Sequence, residues 1–240
     1  MQENILIECQ DKLKQAKRDF DEFVYLVSHD LKAPIRAITN LAGWIEEDLG
    51  NEIPADVKHN MQLLRDRSHR LEKMLEAILL LSRIPRTDLE IKAIAISDFI
   101  QNISAAFEDE NIKIKNESDL PTITTYHQKL KTVLEQLLKN AIIHANSLPI
   151  EITVKGQVQA EFLQISIADN GPGIEAHQKD RIFNIFFTGN GLEGNKNIGA
   201  GLTLVKHILD FVGGNIELQK QVAIGSTFLI NWPLNITQKP

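Results

Sequence analysis

The chain has 240 residues, 43% of them hydrophobic and 24% charged, with a formal net charge of −6. That composition excludes a disordered, collagen-like or low-complexity chain, and the acidity argues against a nucleic-acid coat or a polybasic membrane-surface binder. The length admits one large domain or two modest ones.

A single cysteine, Cys9, has no intrachain partner, which points to a reducing compartment. No segment approaches the ~18 consecutive apolar residues of a membrane helix. The start, MQENILIECQDKLKQ, carries acids where a secretory signal would have an apolar core. The expectation is a chain that works without a membrane anchor of its own, or a part of something longer.

From Ile5 to about Arg83 the pattern is helical. Cys9, Leu13, Ala16, Phe20, Phe23 and Val27 recur at spacings of four and three, the a/d stripe of a coiled coil. Leu31, Ile35, Ile38, Ala42, Ile45 and Leu49 continue it. Gly50-Asn51 and Pro54 predict a turn. A second helix then shows Val57, Met61, Leu64, Leu71, Met74, Leu75 and Ile78 on one face and is closed by Pro85. Each helix of such a hairpin buries a single stripe, so two copies forming a four-helix bundle is the expected arrangement. A monomeric hairpin packed on the rest of the chain is the alternative.

After Pro85 the periodicity shortens. Strands are predicted at Leu89–Ile96, Ile112–Lys115, Thr122–Thr124, Ile150–Val154, Phe162–Ala168, Gly214–Leu218 and Thr227–Trp232. Helices are predicted from Ser97, a plausible N-cap, to Asp109, from Tyr126 to Ala145 and from Leu202 to Val212. Helices grouped with a mixed, largely antiparallel set of strands suggest a two-layer α/β sandwich, making the whole chain α+β. The expected division is residues 1–85 and 86–240.

His29 lies in Val27-Ser28-His29-Asp30-Leu31-Lys32-Ala33-Pro34. At about 100° per residue it falls roughly opposite the stripe centre between Val27 and Leu31, so it is expected to face solvent. An ordinary surface histidine is one reading. The other is a nucleophile: Asp30 can hold one ring nitrogen protonated and leave the second bare, and Pro34 is expected to kink the helix one turn later.

Ile165 to Asp169 reads as a strand entering the turn Asn170-Gly171-Pro172-Gly173. The glycines permit close backbone approach, and Asp169 at the strand end is placed to accept a hydrogen bond in a pocket, unless this is a plain hairpin turn. Gly189 to Gly201 is polar and glycine-laden and opens a helix at Leu202. Such a helix start suits phosphate, although a flexible loop reads the same way. Gln136 and Asn140 are four apart on one helical face; they are either surface amides or hard oxygen ligands for Mg²⁺.

In this order the blocks resemble the cytoplasmic core of a two-component sensor histidine kinase, over nearly the whole chain. Ser28 to Pro34 looks like the H box, and Asn140 falls in the N box. Asp169 to Gly173 looks like the first glycine block, Ile182 to Phe187 like the F box, Gly199 to Leu202 like the second glycine block and Gly225 to Phe228 like the last.

The resemblance implies a dimerisation and phosphoacceptor domain at 1–85 and a Bergerat-type, GHKL-like ATP-binding sandwich at 86–240. His29 would take the γ-phosphoryl group of ATP, with Asp30 as base or orienting group. Asn140, beside Gln136, would hold Mg²⁺, Asp169 would receive the adenine amino group, and Thr227 would lie near the adenine end. Gly171, Gly173, Gly199, Gly201 and Lys196 would surround the nucleotide, with residues 189–198 as a lid. Implied partners are a second copy, the receiver-domain aspartate of a response regulator and an upstream sensor, with no nucleic acid.

The chain departs from the family at Gln136, often Asn, at Ile143, often Lys, and at Ala33, where many relatives carry a Thr or Asn linked to dephosphorylating the regulator. A non-catalytic, ATP-gated dimeric scaffold is the alternative function. A relative sharing only the ATP sandwich would need no exposed histidine on a preceding helix.

Overall fold

The computed structural model describes residues 2–50, 53–117, 119–146, 148–189, 198–219 and 225–236. The chain divides into two compact units: Met1–Arg83 makes up the body of the first, and Ile84–Glu193 with Gly199–Pro240 makes up the second.

The first unit is a hairpin of two helices, α1 (Gln2–Leu49) and α2 (Ala55–Arg83). Gly50, at φ +52°, lies in the turn between them, and Lys58 donates its N–H to the Pro54 carbonyl at 3.0 Å to start α2. Arg36 pairs with Glu72 at 2.8 Å and Lys32 with Glu76 at 3.3 Å, so four residues forward on α1 match four back on α2. Arg65 pairs with Glu46 nearer the turn. These ion pairs sit on an antiparallel register whose dry seam is Ser28, Ile35 and Ala42 of α1, seven apart, against Ser68, Leu75 and Leu79 of α2.

The predicted apolar stripe is wider than this seam. Phe20 and Phe23 are 64% and 62% exposed, and Val27, Leu31, Ile38, Ile45 and Leu49 are exposed with them, as are Leu64 and Leu71 of α2. One neighbouring helix covers only one side of a heptad stripe, so the other side stays open within a single chain. Helix α1 continues through Pro34. Proline still removes one donor, and the carbonyl four residues earlier, that of Asp30, loses its helical partner.

The second unit runs β1 (Ile91–Ala95), α3 (Ile96–Ala105), β2 (Ile112–Glu117), β3 (Thr122–Tyr126), α4 (His127–Ile143), β4 (Ile150–Gln159), β5 (Phe162–Asp169), α5 (Gly201–Val212), β6 (Asn215–Leu218) and β7 (Thr227–Pro233). Strands β1 and β3 form an antiparallel pair. The main sheet has the order β2-β4-β5-β7-β6, antiparallel except where β2 runs parallel to β4. One face of β5 and β7 is buried through Leu163, Ile165, Ile167, Phe228, Ile230 and Trp232, and α4 and α5 cover it with Leu134, Leu137, Leu138, Val205 and Leu209. This is the two-layer sandwich that alternation along the strands predicts.

On the opposite face an amide ladder crosses four strands. Gln157 donates to Gln164, Gln164 to Asn231, Asn231 to Asn215 and Asn215 to Glu217, at 2.8–2.9 Å. At the buried face, Trp232 donates its indole N–H to Thr125 at 2.7 Å with both residues fully enclosed.

Two local expectations are corrected. Ser97 is not a cap, because α3 already starts at Ile96 with Ala95 before it and no side-chain cap. The Ser97 hydroxyl instead accepts the Leu120 N–H at 2.8 Å and so ties α3 to the start of β3. Helix α3 also stops at Ala105 rather than Asp109, whose carboxylate turns back to accept the N–H groups of Asn111 and Ile112. Aspartate competes for backbone donors in this way where a turn is needed.

Candidate functional site

In the first unit Ser28 faces the seam, and the next residue, about 100° further round, turns outward. The side chains of His29 and Asp30 are 71% and 79% exposed, with His29 Nδ1 and Asp30 Oδ1 3.2 Å apart. With Nδ1 carrying the proton toward the carboxylate, Nε2 keeps its lone pair bare. The imidazole also stacks on Tyr25, one turn earlier, at 6.2 Å between centroids and 29° between planes. The Arg83 guanidinium lies over the same tyrosine ring at 5.4 Å. Sequence reading gave Tyr25 no role; its i−4 spacing from His29 was the available signal.

In the second unit four separated stretches meet. Strand β5 ends at Asp169, whose Oδ1 accepts the N–H of Gly171 at 2.9 Å and that of Ser226 at 3.1 Å. Burial pushes the Asp169 carboxyl up, while those two N–H groups and the nearby His144 oppose the shift. Burial lowers the His144 imidazole, and the Asp169 charge works against that. Asn170 is structural: its side chain accepts the Glu151 N–H at 3.0 Å and donates to the Pro149 carbonyl at 2.9 Å, which fixes the start of β4.

The glycines are required by close approach. A Cβ on Gly171 would lie 2.8 Å from Asp169 Oδ1, and one on Gly225 only 1.8 Å from the Asp169 carbonyl oxygen. Gly225 adopts φ +103°, and Gly173 φ +80°. Gly199, at φ +69°, leaves no room beside the Phe187 carbonyl, 2.2 Å from its would-be Cβ, and its own carbonyl accepts the Phe186 N–H at 3.0 Å. A Cβ on Gly201 would meet Gln136 Oε1 at 2.9 Å, so the α4 amide face lies against the first turn of α5.

Thr203, in that turn, donates to the Phe183 carbonyl at 3.0 Å. Arg181 lies over Phe187 at 4.8 Å. Helix α5 has no side-chain cap at its N-terminus, which leaves its first N–H groups for an anion. Thr227 is opposite Ala168 in the β5–β7 register, one position from Asp169.

Gln136, Asn140, Asp169, Gly171, Gly199, Gly201 and Thr227 therefore belong to one neighbourhood formed by α4, the end of β5, the start of α5 and the start of β7. Among the described residues neither the Gln136 nor the Asn140 side-chain amide has a hydrogen-bond partner, and no cluster of three His, Cys, Asp or Glu side chains is positioned to hold a metal. Lys196 and most of the predicted lid, 190–197, lie outside the described residues. Sequence reading named the last glycine block but gave Gly225 and Ser226 no part; only the fold brings Ser226 to Asp169, 57 residues away, with Gly225 beside it.

Residues 21–87 match the His Kinase A (phospho-acceptor) domain, and residues 125–236 match the histidine kinase-, DNA gyrase B- and HSP90-like ATPase family. The chain is a two-component histidine kinase core.

Relatives include cyanobacterial phytochrome B of Nostoc sp., 29% identical over 90% of this chain and 30% of that protein. The sensor histidine kinase ZraS of Escherichia coli is 29% identical over 89% of this chain and 45% of its own length. Full-length ShkA, solved with AMPPNP, shares the fold at a TM-score of 0.64 and 20% identity, over 90% of this chain and 46% of that one. This kinase core thus spans between a quarter and a half of the length of curated relatives it matches. Among its described residues no helix is long and apolar enough to cross a membrane.

Proposed function

We propose that this chain phosphorylates itself on His29 from ATP, with residues 1–85 as dimerisation and phosphoacceptor domain and 86–240 as the ATP-binding domain. The observation that carries the reading is the pairing of His29 with Asp30 on an exposed helical face. It supplies a nucleophile with one nitrogen held in the donor state and the other open to an electrophile.

His29 Nε2 forms the bond to the γ-phosphorus as the bond from that phosphorus to the bridging oxygen breaks. ADP departs with the electron pair, and the charge on the ring is relieved through the Nδ1 proton, which Asp30 holds. Positioning and charge neutralisation supply most of the acceleration in such transfers.

The second unit fits the nucleotide. An uncapped helix start, a glycine-lined cradle that side chains would fill, and a carboxylate already oriented by two backbone donors match triphosphate and adenine chemistry. Asp169 would accept from the adenine amino group, with Thr227 at that end. Gly171, Gly173, Gly199 and Gly201 would give the ligand its close backbone approach, and Lys196 would face the phosphates.

Asn140 and Gln136 present hard amide oxygens, suited to Mg²⁺. When bound there the ion neutralises phosphate charge. Ile143, 48% exposed at the end of α4, supplies no cation to the site.

The open apolar stripe of α1 and α2 supports a homodimer. The chemistry of a phosphohistidine, a labile phosphoramidate, suits onward transfer to a receiver-domain aspartate of a response regulator. An upstream sensor and a cytoplasmic setting complete the reading.

Incubation with γ-labelled ATP and Mg²⁺ tests it. Acid-labile label that is absent from His29→Ala is the expected result. Label surviving that substitution would displace His29, and nucleotide binding without any transfer would make the chain a scaffold.

A further inference from the structure

Lys129 is out of place by the rules of packing. It is the third residue of α4 and is 3% exposed, so an ammonium group is buried in the first turn of a helix, where the backbone dipole already concentrates positive charge. Burial drives its pKa down, and the charge of Asp88 works against that shift. A leucine or methionine would fill the space without desolvating a charge.

The polar contacts of Lys129 are two backbone carbonyls: Nζ donates to Ile84 at 2.6 Å and to Thr87 at 2.8 Å. It also lies over the Phe211 ring of α5 at 4.8 Å. Bonds to carbonyls hold a path of the chain rather than particular side chains, and this path is the connection. Helix α2 ends at Arg83, β1 begins at Ile91, and the grip falls on the first and fourth residues between them. Ile84 adds a buried side chain at the same point. With the grip closed, the second unit holds the chain from the first residue after α2. With it open, the seven-residue run could pay out to roughly 25 Å at about 3.3–3.6 Å per residue.

We propose that Lys129 is a positioning residue for phosphoryl transfer, gripping the Ile84 and Thr87 carbonyls so that the nucleotide-binding unit is tethered without slack to the helix pair that carries His29. The inference rests on the kinase reading above. It concerns delivery of the phosphoryl group, and nucleotide binding is expected to be independent of it, since loss of an orientational constraint reduces the rate of a positioned reaction.

The test compares Lys129→Met, Lys129→Arg and an insertion of two glycines between Arg83 and Ile84, each in the full chain. The insertion adds slack while leaving the grip itself intact. Expected for Lys129→Met and for the insertion is a fall of about tenfold or more in His29 labelling at saturating ATP, with KM for ATP and nucleotide affinity by calorimetry within about twofold of the parent. Lys129→Arg, which keeps a cation donor, should recover most of the rate.

Parent-like labelling in both the methionine variant and the insertion would overturn the proposal while leaving the kinase reading intact. Should the methionine variant fail to fold, the insertion decides alone, and parent-like labelling in it overturns the proposal. Absence of His29 label in the parent chain would instead remove the reading on which the proposal rests.

Discussion

The Ser226 amide donates to Asp169 Oδ1 at 3.1 Å, and the Asp169 amide donates back to the Ser226 carbonyl at 2.9 Å. This reciprocal pair joins residues 57 apart in sequence and aims a carboxylate that would otherwise swing freely at the end of a strand. Because both side-chain bonds fall on Oδ1, an asparagine can reproduce them. Asp169→Asn is therefore expected to fold normally while presenting a donor where the ligand's amino group needs an acceptor. A charge-assisted hydrogen bond is worth about 1.5–3 kcal/mol, so nucleotide affinity should fall roughly 10- to 100-fold by calorimetry.

The raised Asp169 pKa sets a pH dependence. As pH falls through a pKa that burial has raised from the ordinary aspartate value, the acceptor is protonated, so ATP affinity should decline on acidification sooner than an ordinary aspartate would allow. Stability without ligand runs the other way. Ionisation is harder in the folded chain than in the unfolded one, so this group's favourable contribution is present at low pH and is lost as pH rises through the folded pKa. Calorimetry and thermal unfolding over an acid-to-neutral pH series, with Asp169→Asn as the flat control, check both signs.

Gly225→Ala combines a Cβ 1.8 Å from the Asp169 carbonyl oxygen with φ +103°. The atoms that Cβ would meet, in Asp169 and Asn170, are all backbone, so the turn must move. A loss of about 2–4 kcal/mol in denaturant unfolding is expected, with weaker nucleotide binding because Ser226 moves with it.

Asp30→Ala leaves Nδ1 of His29 without its carboxylate partner and lets the ring change tautomer. Autophosphorylation should slow by about 100-fold at saturating ATP with KM unchanged, a loss that Asp30→Asn makes up in part by keeping an acceptor. A KM shift equal to the rate loss would place Asp30 in nucleotide binding instead.

Thr125→Val is close to isosteric but strands the Trp232 indole N–H in a fully buried site. The expected cost is about 1–3 kcal/mol of stability, read by denaturant unfolding, with nucleotide affinity little changed.

Periodicity alone determined the helical hairpin, the strand and helix order of the second unit and the α+β class, because spacings of 3.6 and 2 follow directly from how side chains leave the backbone. Adjacency in sequence made the His29–Asp30 contact legible, and four-residue spacing put Gln136 and Asn140 on one face.

Only the tertiary structure decided which half of the α1 stripe is dry, that Ser97 ties α3 to β3 rather than capping it, and that Ser226 and Gly225 close on Asp169. It also decided that Lys129, to which the sequence pattern assigned no role, is buried on two carbonyls of the connecting chain. The physical reason is common to all four. Local pattern carries the direction in which a side chain leaves its own element, whereas partners from another strand or helix are chosen by sheet register and close packing, which no window along the chain contains.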